Sequence, residues 1–151
     1  MRPRPHEVMG GNMSQQLFIV WQEGNDTGVT LLDEQHRGIV SIINTLHYAL
    51  SMGKGNNKLY SQIIDTICSY SSIHFTTEEG MMEACKYIGL ENHKITHHKL
   101  LRDTKSIQYD VIKANDPKPL LEFLKKWWIE HINSEDRLYT PYLRASRDIH
   151  S

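Results

Sequence analysis

The chain has 151 residues, enough to bury one core without disulfide or structural-metal staples. Its 17 basic and 18 acidic side chains leave a formal net charge of -1, which offers no electrostatic footprint for nucleic acid or an anionic membrane. The apolar run Leu17 to Trp21 is too short for a signal peptide or a bilayer span, so a cytoplasmic, monomeric protein is the expectation.

Residues 1–16, with Pro3, Pro5, Gly10 and Gly11, read as a mobile leader in which Met13 is an alternative start. Leu17 to Leu32 is expected as an extended arm packed over a bundle end, anchored by Trp21. A first helix is predicted from about Asp33, as N-cap, to Met52, with Ile39, Ile43, Leu46 and Leu50 on the stripe of His36. Gly53 to Asn57 breaks it. A second helix carries Leu59, Ile63, Ile67, Tyr70, His74, Glu78 and Met81 in steps of four and three, and Gly89 to Glu91 ends that segment. The third helix shows His93, His97, Leu100, Thr104, Ile107 and Val111; Asn115 to Pro117 stops it. Pro117 or Pro119 opens a fourth, with Leu121, Leu124, Trp128 and His131 on one stripe and an end or kink at Pro141. Short loops between elements of similar length predict an all-α, antiparallel up-down-up-down four-helix bundle over residues 17–143, followed by a polar tail over 144–151. Cys68 and Cys85 have neither a CxxC nor a zinc-type spacing and are expected to be reduced packing residues.

The apolar stripes carry a recurring chemistry: His36, His74 with Glu78, His93 with His97, and His131 with a nearby carboxylate. Residues four apart on a helix are neighbours, about 5 to 6 Å apart at their β-carbons, so one turn can present two ligands to a shared site. A histidine on the buried stripe of every helix would cost unpaired polar burial four times over unless something binds them all. Five imidazoles with carboxylates able to bridge suit a pair of cations better than one. The last carboxylate is ambiguous by spacing. Glu135 lies four after His131 and suits a straight helix, whereas Asp136 lies five after, about 140° off that face, and can serve only if a π-type turn or a helix end swings it inward. His47 is three turns, about 16 Å, from His36 and out of reach. His98 is rotated off the His93/His97 face, and His6 and His150 sit near the termini.

Four runs, DEQHRGIVSIIN from Asp33, HFTTEEGMM from His74, HKITHH from His93 and WWIEHINSED from Trp127, resemble the bacterial hemerythrins over Trp21 to about Tyr142. That family comprises dioxygen-carrying, non-haem di-iron four-helix bundles. The resemblance implies that His93, His97 and His131 hold one iron and that His36 and His74 hold the other. Glu78 and Asp136 would bridge the two, with an oxo or hydroxo group as third bridge, and dioxygen would be taken up reversibly at a position left open on the second ion. It thereby selects Asp136 over Glu135. An oxygen-consuming oxidase is then a candidate recipient.

Two departures stand out. Trp128, three before His131, occupies a position where relatives often carry leucine, which makes it a candidate wall of the dioxygen pocket; its bland reading is core packing. Ile88 replaces a proline common after the tyrosine and affects only a turn. The competing function is a di-iron enzyme that reduces peroxide or nitric oxide, or oxidises ferrous iron. It is disfavoured because the further acids near the ligands, Glu79, Glu83 and Glu135, are expected to face solvent or to hydrogen-bond to the ligands.

Overall fold

The computed structural model describes residues 17–53, 56–132 and 136–148, with the side chains of 129, 136 and 146–148 outside the description. The predicted leader lies outside the described residues. Among the described residues five α-helices follow a 3-10 turn at Glu23–Asn25: α1 (Thr30–Ser51), α2 (Asn57–Ala84), α3 (Leu90–Ala114), α4 (Lys118–Glu130) and α5 (Asp136–Asp148). No strand occurs among the described residues. α1 packs against α2 and α4, and α3 against α2 and α4, so the first four helices close the predicted up-down-up-down ring.

Local signals explain most boundaries. The Asn56 side chain accepts the Leu59 amide at 2.9 Å and caps α2. α2 stops at Ala84, five residues before the predicted glycine, because Lys86 takes a left-handed φ of 57°. There the Tyr87 amide bonds the Met82 carbonyl and the Lys86 amide that of Glu83, which satisfies the orphan carbonyls without a glycine. Asn115, φ 53°, ends α3 in the same way.

Asp33 is not the N-cap of α1. The helix starts at Thr30, and the buried Asp33 carboxylate, one turn in, instead accepts the Thr27 amide (2.7 Å), the Thr27 hydroxyl (2.6 Å) and the Gly28 amide (3.1 Å). Gly28, φ 83°, lets the chain fold back to make these bonds. The arm before it runs along the flank of α1 rather than over a bundle end. Ile19 exchanges two hydrogen bonds with the Asn44 side chain, and Phe18 stacks on His47 with ring centroids 4.7 Å apart. Trp21 anchors it, donating to Asp26 at 2.9 Å beneath the Arg37 guanidinium.

The buried face of α2 is wider than the predicted stripe. Ile67, His74 and Glu78 are buried as expected, but Leu59, Ile63, Tyr70 and Met81 are only half-buried. Tyr60, Ile64, Cys68, Ser71, Phe75 and Met82 take the interior. A strict seven-residue stripe drifts about 20° per heptad around a straight helix, and α2 has neighbours on two sides, so the face it buries moves over by a residue. Both cysteines are free thiols, Cys68 buried and Cys85 half-buried.

The predicted fourth helix is described as two segments, on either side of residues 133–135. α4 gives way to a π-type turn at His131 and Ile132, and α5 begins at Asp136. Pro141 does not end α5: it sits inside, and the Thr140 hydroxyl donates at 3.3 Å to the Arg137 carbonyl that the proline cannot reach. α5 continues to Asp148, so the predicted polar tail is in part helical, and the Arg144 guanidinium donates to the Thr27 carbonyl.

The core divides in two. Ile39, Ile43, Ile64, Leu100, Leu124 and Trp128 belong to a long cluster through the bundle, while Val29, Leu32, Met82, Tyr139 and Leu143 form a smaller one under α5. The polar site lies at their junction.

Candidate metal centre

Six of the seven predicted ligands converge. His36, His74, Glu78, His93, His97 and His131 are all buried, none more than 7% exposed. His36 comes from α1, His74 and Glu78 from one turn of α2, His93 and His97 from one turn of α3, and His131 from the π-type turn that follows α4. A side chain four residues on lies above its predecessor, which is why each i, i+4 pair points the same way.

Glu78 is the centre of the arrangement. Its Oε1 lies 3.4 Å from His36 Nε2 and also contacts His74 Nε2, whereas its Oε2 lies 3.2 Å from both His93 Nε2 and His97 Nε2. One carboxylate therefore addresses two histidine groups with two different oxygens. Donor atoms of Glu78, His93, His97 and His131 lie within 4.8 Å of one another, as do those of His36, His74 and Glu78. Burial pushes the Glu78 carboxyl upward, but the His74 charge and the hydrogen bonds from His36, His74 and His93 outweigh it and hold the group well below the ordinary carboxylate range.

These residues fit a pair of cations. Crowding five imidazoles around one buried carboxylate, with His36 Nε2 and His74 Nε2 only 3.0 Å apart, turns several nitrogens toward one another and toward a group that can only accept, an arrangement that cations between them would satisfy. A neutral imidazole nitrogen and a bridging carboxylate are a ligand set that iron accepts.

The outer nitrogens are held as well. His74 Nδ1 donates to Gln35 Oε1 at 2.7 Å, and Gln35 in turn donates to the Thr77 hydroxyl at 3.4 Å. His97 Nδ1 donates to Glu79 Oε1 at 2.9 Å. Glu79 thus takes a role that the sequence predicts for it. Gln35 is an addition, although its place beside His36 on the helix that faces α2 is a signal the sequence carries.

Trp128 is wholly buried and stacks on Phe75, which in turn stacks on the imidazole of His97. Phe75 stands between, its ring 3.8 Å from that of His97 and 5.5 Å from that of Trp128, with both flanking planes within 10° of its own. Phe75 also meets His131 edge-on at 5.9 Å. Phe75 escapes a reading of the sequence because it lies one residue off the expected stripe. On the opposite side, Tyr139 meets His93 edge-on at 5.2 Å, so apolar rings close the site from both ends. His47 and His98 stay away from it, as expected: His47 stacks on the arm and His98 is exposed. Asp136 heads α5, but its side chain, like Glu135, lies outside the described residues.

A buried carboxylate shared by two histidine groups inside four antiparallel helices defines a dinuclear metal-binding bundle. The family model described as Hemerythrin HHE cation binding domain matches residues 27–143, and the chain belongs to the hemerythrin family, whose bundles hold a non-haem di-iron centre. A bacteriohemerythrin of Pseudomonas paraeruginosa is 31% identical over 129 residues, which cover 85% of this chain and 83% of that protein. One from Methylococcus capsulatus is 30% identical over 79% of this chain and 91% of its own length. A hemerythrin from Sipunculus nudus is 29% identical over 80% of this chain and 90% of its own length. The crystal structure of a wild-type hemerythrin superposes with a TM-score of 0.71 at 28% identity, covering 83% of this chain and 98% of the other.

Proposed function

We propose that this chain is a cytoplasmic, monomeric protein that binds dioxygen reversibly at a di-iron centre and stores it, senses it or delivers it to an oxygen-consuming oxidase. The observation that carries the reading is the Glu78 carboxylate, which turns one oxygen to His36 and His74 and the other to His93 and His97. His93, His97 and His131 would hold one iron and His36 and His74 the other, with Glu78 and Asp136 as bridges. The widened turn at His131 and Ile132 supports Asp136, since an ideal helix would aim a side chain five residues on about 140° away. Two ferrous ions in that cage supply the two electrons that reversible dioxygen uptake borrows and returns.

The chain's own residues do the rest. Five neutral imidazoles with few carboxylates keep the cage less anionic than the glutamate-rich sites of ferritin-like bundles, which favours the ferrous state. Phe75 and Trp128 on one side, and Leu32, Met82 and Tyr139 on the other, keep water and protons from the buried interior. Glu79, an acid beside the ligands, is engaged by His97 and is thus poorly placed to deliver protons to a substrate, which argues for binding over enzymatic reduction. No helix among the described residues is long and apolar enough to cross a membrane.

Reduced, iron-loaded protein exposed to air should develop a visible absorption band that fades under argon and returns on re-exposure. Irreversible conversion to a ferric form, with turnover of peroxide or nitric oxide, would refute reversible binding. Trp128→Leu should quicken autoxidation, because the smaller side chain opens a void behind Phe75 through which water can reach the site. An unchanged rate would show that Trp128 is packing and not part of the barrier.

A further inference from the structure

We propose that Glu79 and Gln35 are unequal positioning residues that impose an order of metal loading. The position framed by His93, His97 and His131 fills first and more tightly; the position framed by His36 and His74 fills second. This rests on the di-iron reading above and adds to it which position forms first, and why.

Each of the two residues performs the same task on a different side. Glu79 Oε1 takes the Nδ1 proton of His97 at 2.9 Å, and Gln35 Oε1 takes that of His74 at 2.7 Å. In both cases the bond to the outer nitrogen fixes the ring so that Nε2 faces Glu78, whose oxygens lie beside both nitrogens. The acceptors differ in charge. Glu79, with its side chain 24% exposed, offers a carboxylate, and a hydrogen bond to an ionised acceptor is roughly twice as strong as one between neutral groups. Gln35 is a neutral amide whose dipole is shared with the Thr77 hydroxyl. The His97 imidazole is therefore the better electron donor and the more firmly oriented.

Among the described contacts the other contributions run the same way. Glu78 gives one oxygen to each side. The His97 side has three imidazoles and a carboxylate behind one of them, whereas the His74 side has two imidazoles and an amide. Ligand number and donor strength both favour the same position, so the two affinities separate instead of cancelling.

The test is an anaerobic titration of the metal-free full chain with cobalt(II), followed by visible absorption and calorimetry. Two phases are expected, and His36→Ala should remove only the weaker. Glu79→Gln should weaken the first phase about tenfold, the effect typical of losing an outer partner of a ligating histidine, and draw the two phases together. Gln35→Glu should strengthen the second phase. Nitrogen-15 spectra of the metal-free chain should place a proton on His97 Nδ1 in the wild type and show the two tautomers mixed in Glu79→Gln, a change that loss of packing alone would not produce. Two ions bound in one indistinguishable phase, or a first phase unchanged in Glu79→Gln, would overturn the proposed order while leaving the di-iron reading intact. Binding of fewer than two ions by the wild-type chain would overturn both.

Discussion

Glu78→Gln should lower the iron content of the loaded protein from two ions per chain to one or none, with an affinity loss of at least about 100-fold, the upper end of what losing only an outer partner costs. The substitution keeps the shape of the side chain and removes its charge. A carboxylate can accept from both of its oxygens, and here Oε1 faces His36 and His74 while Oε2 faces His93 and His97. Glutamine retains one acceptor and turns an amide N–H toward the other histidine pair, where a cation would have to sit. The loss therefore falls on both positions, unlike that of any single histidine. Elemental analysis of the purified variant decides the matter, with circular dichroism to confirm the helical fold. Two irons retained per chain would remove Glu78 from its bridging role.

Phe75→Ala should destabilise the metal-free chain by about 3–5 kcal/mol, the range for truncating a buried aromatic ring, and lower its melting temperature on the order of 10 °C. Phe75 is 3% exposed and lies between the rings of His97 and Trp128, so its removal leaves a cavity that two flat neighbours from different helices cannot readily fill. The variant should also oxidise faster once loaded with iron, since that cavity adjoins His97 and His131. Phe75→Leu, which refills part of the volume, should recover much of the stability. Thermal denaturation of the three metal-free proteins measures this; a loss under about 1 kcal/mol for the alanine variant would mean that the site relaxes closed and the ring stack is incidental.

Much of the architecture was legible because it depends on period. Four apolar stripes with helical stepping, separated by Gly53, Gly89 and Pro117, imply four packed helices, and histidines on those stripes must meet inside. The i, i+4 spacing of His74 with Glu78 and of His93 with His97 specifies shared facing before any fold is known. Element ends were less legible. Lys86 in a left-handed conformation stops α2 where no glycine announces it, and Asp33 spends its carboxylate on the preceding loop instead of capping its own helix. Pro141 lies inside α5 because the Thr140 hydroxyl takes over the bond that the proline gives up.

By itself, then, the sequence determined the helical class, the antiparallel order and which imidazoles share a face with Glu78, since these follow from spacing along a regular helix, whereas spacing left Glu135 and Asp136 in competition. Only the tertiary structure decided how they are shared. That Glu78 faces two histidine groups at once, that Phe75 lies between His97 and Trp128, and that Gln35 holds His74 all depend on how α1, α2, α3 and α4 are rotated and offset against one another. That rotation is set by the fit of many side chains across the whole interface, and no single segment encodes it.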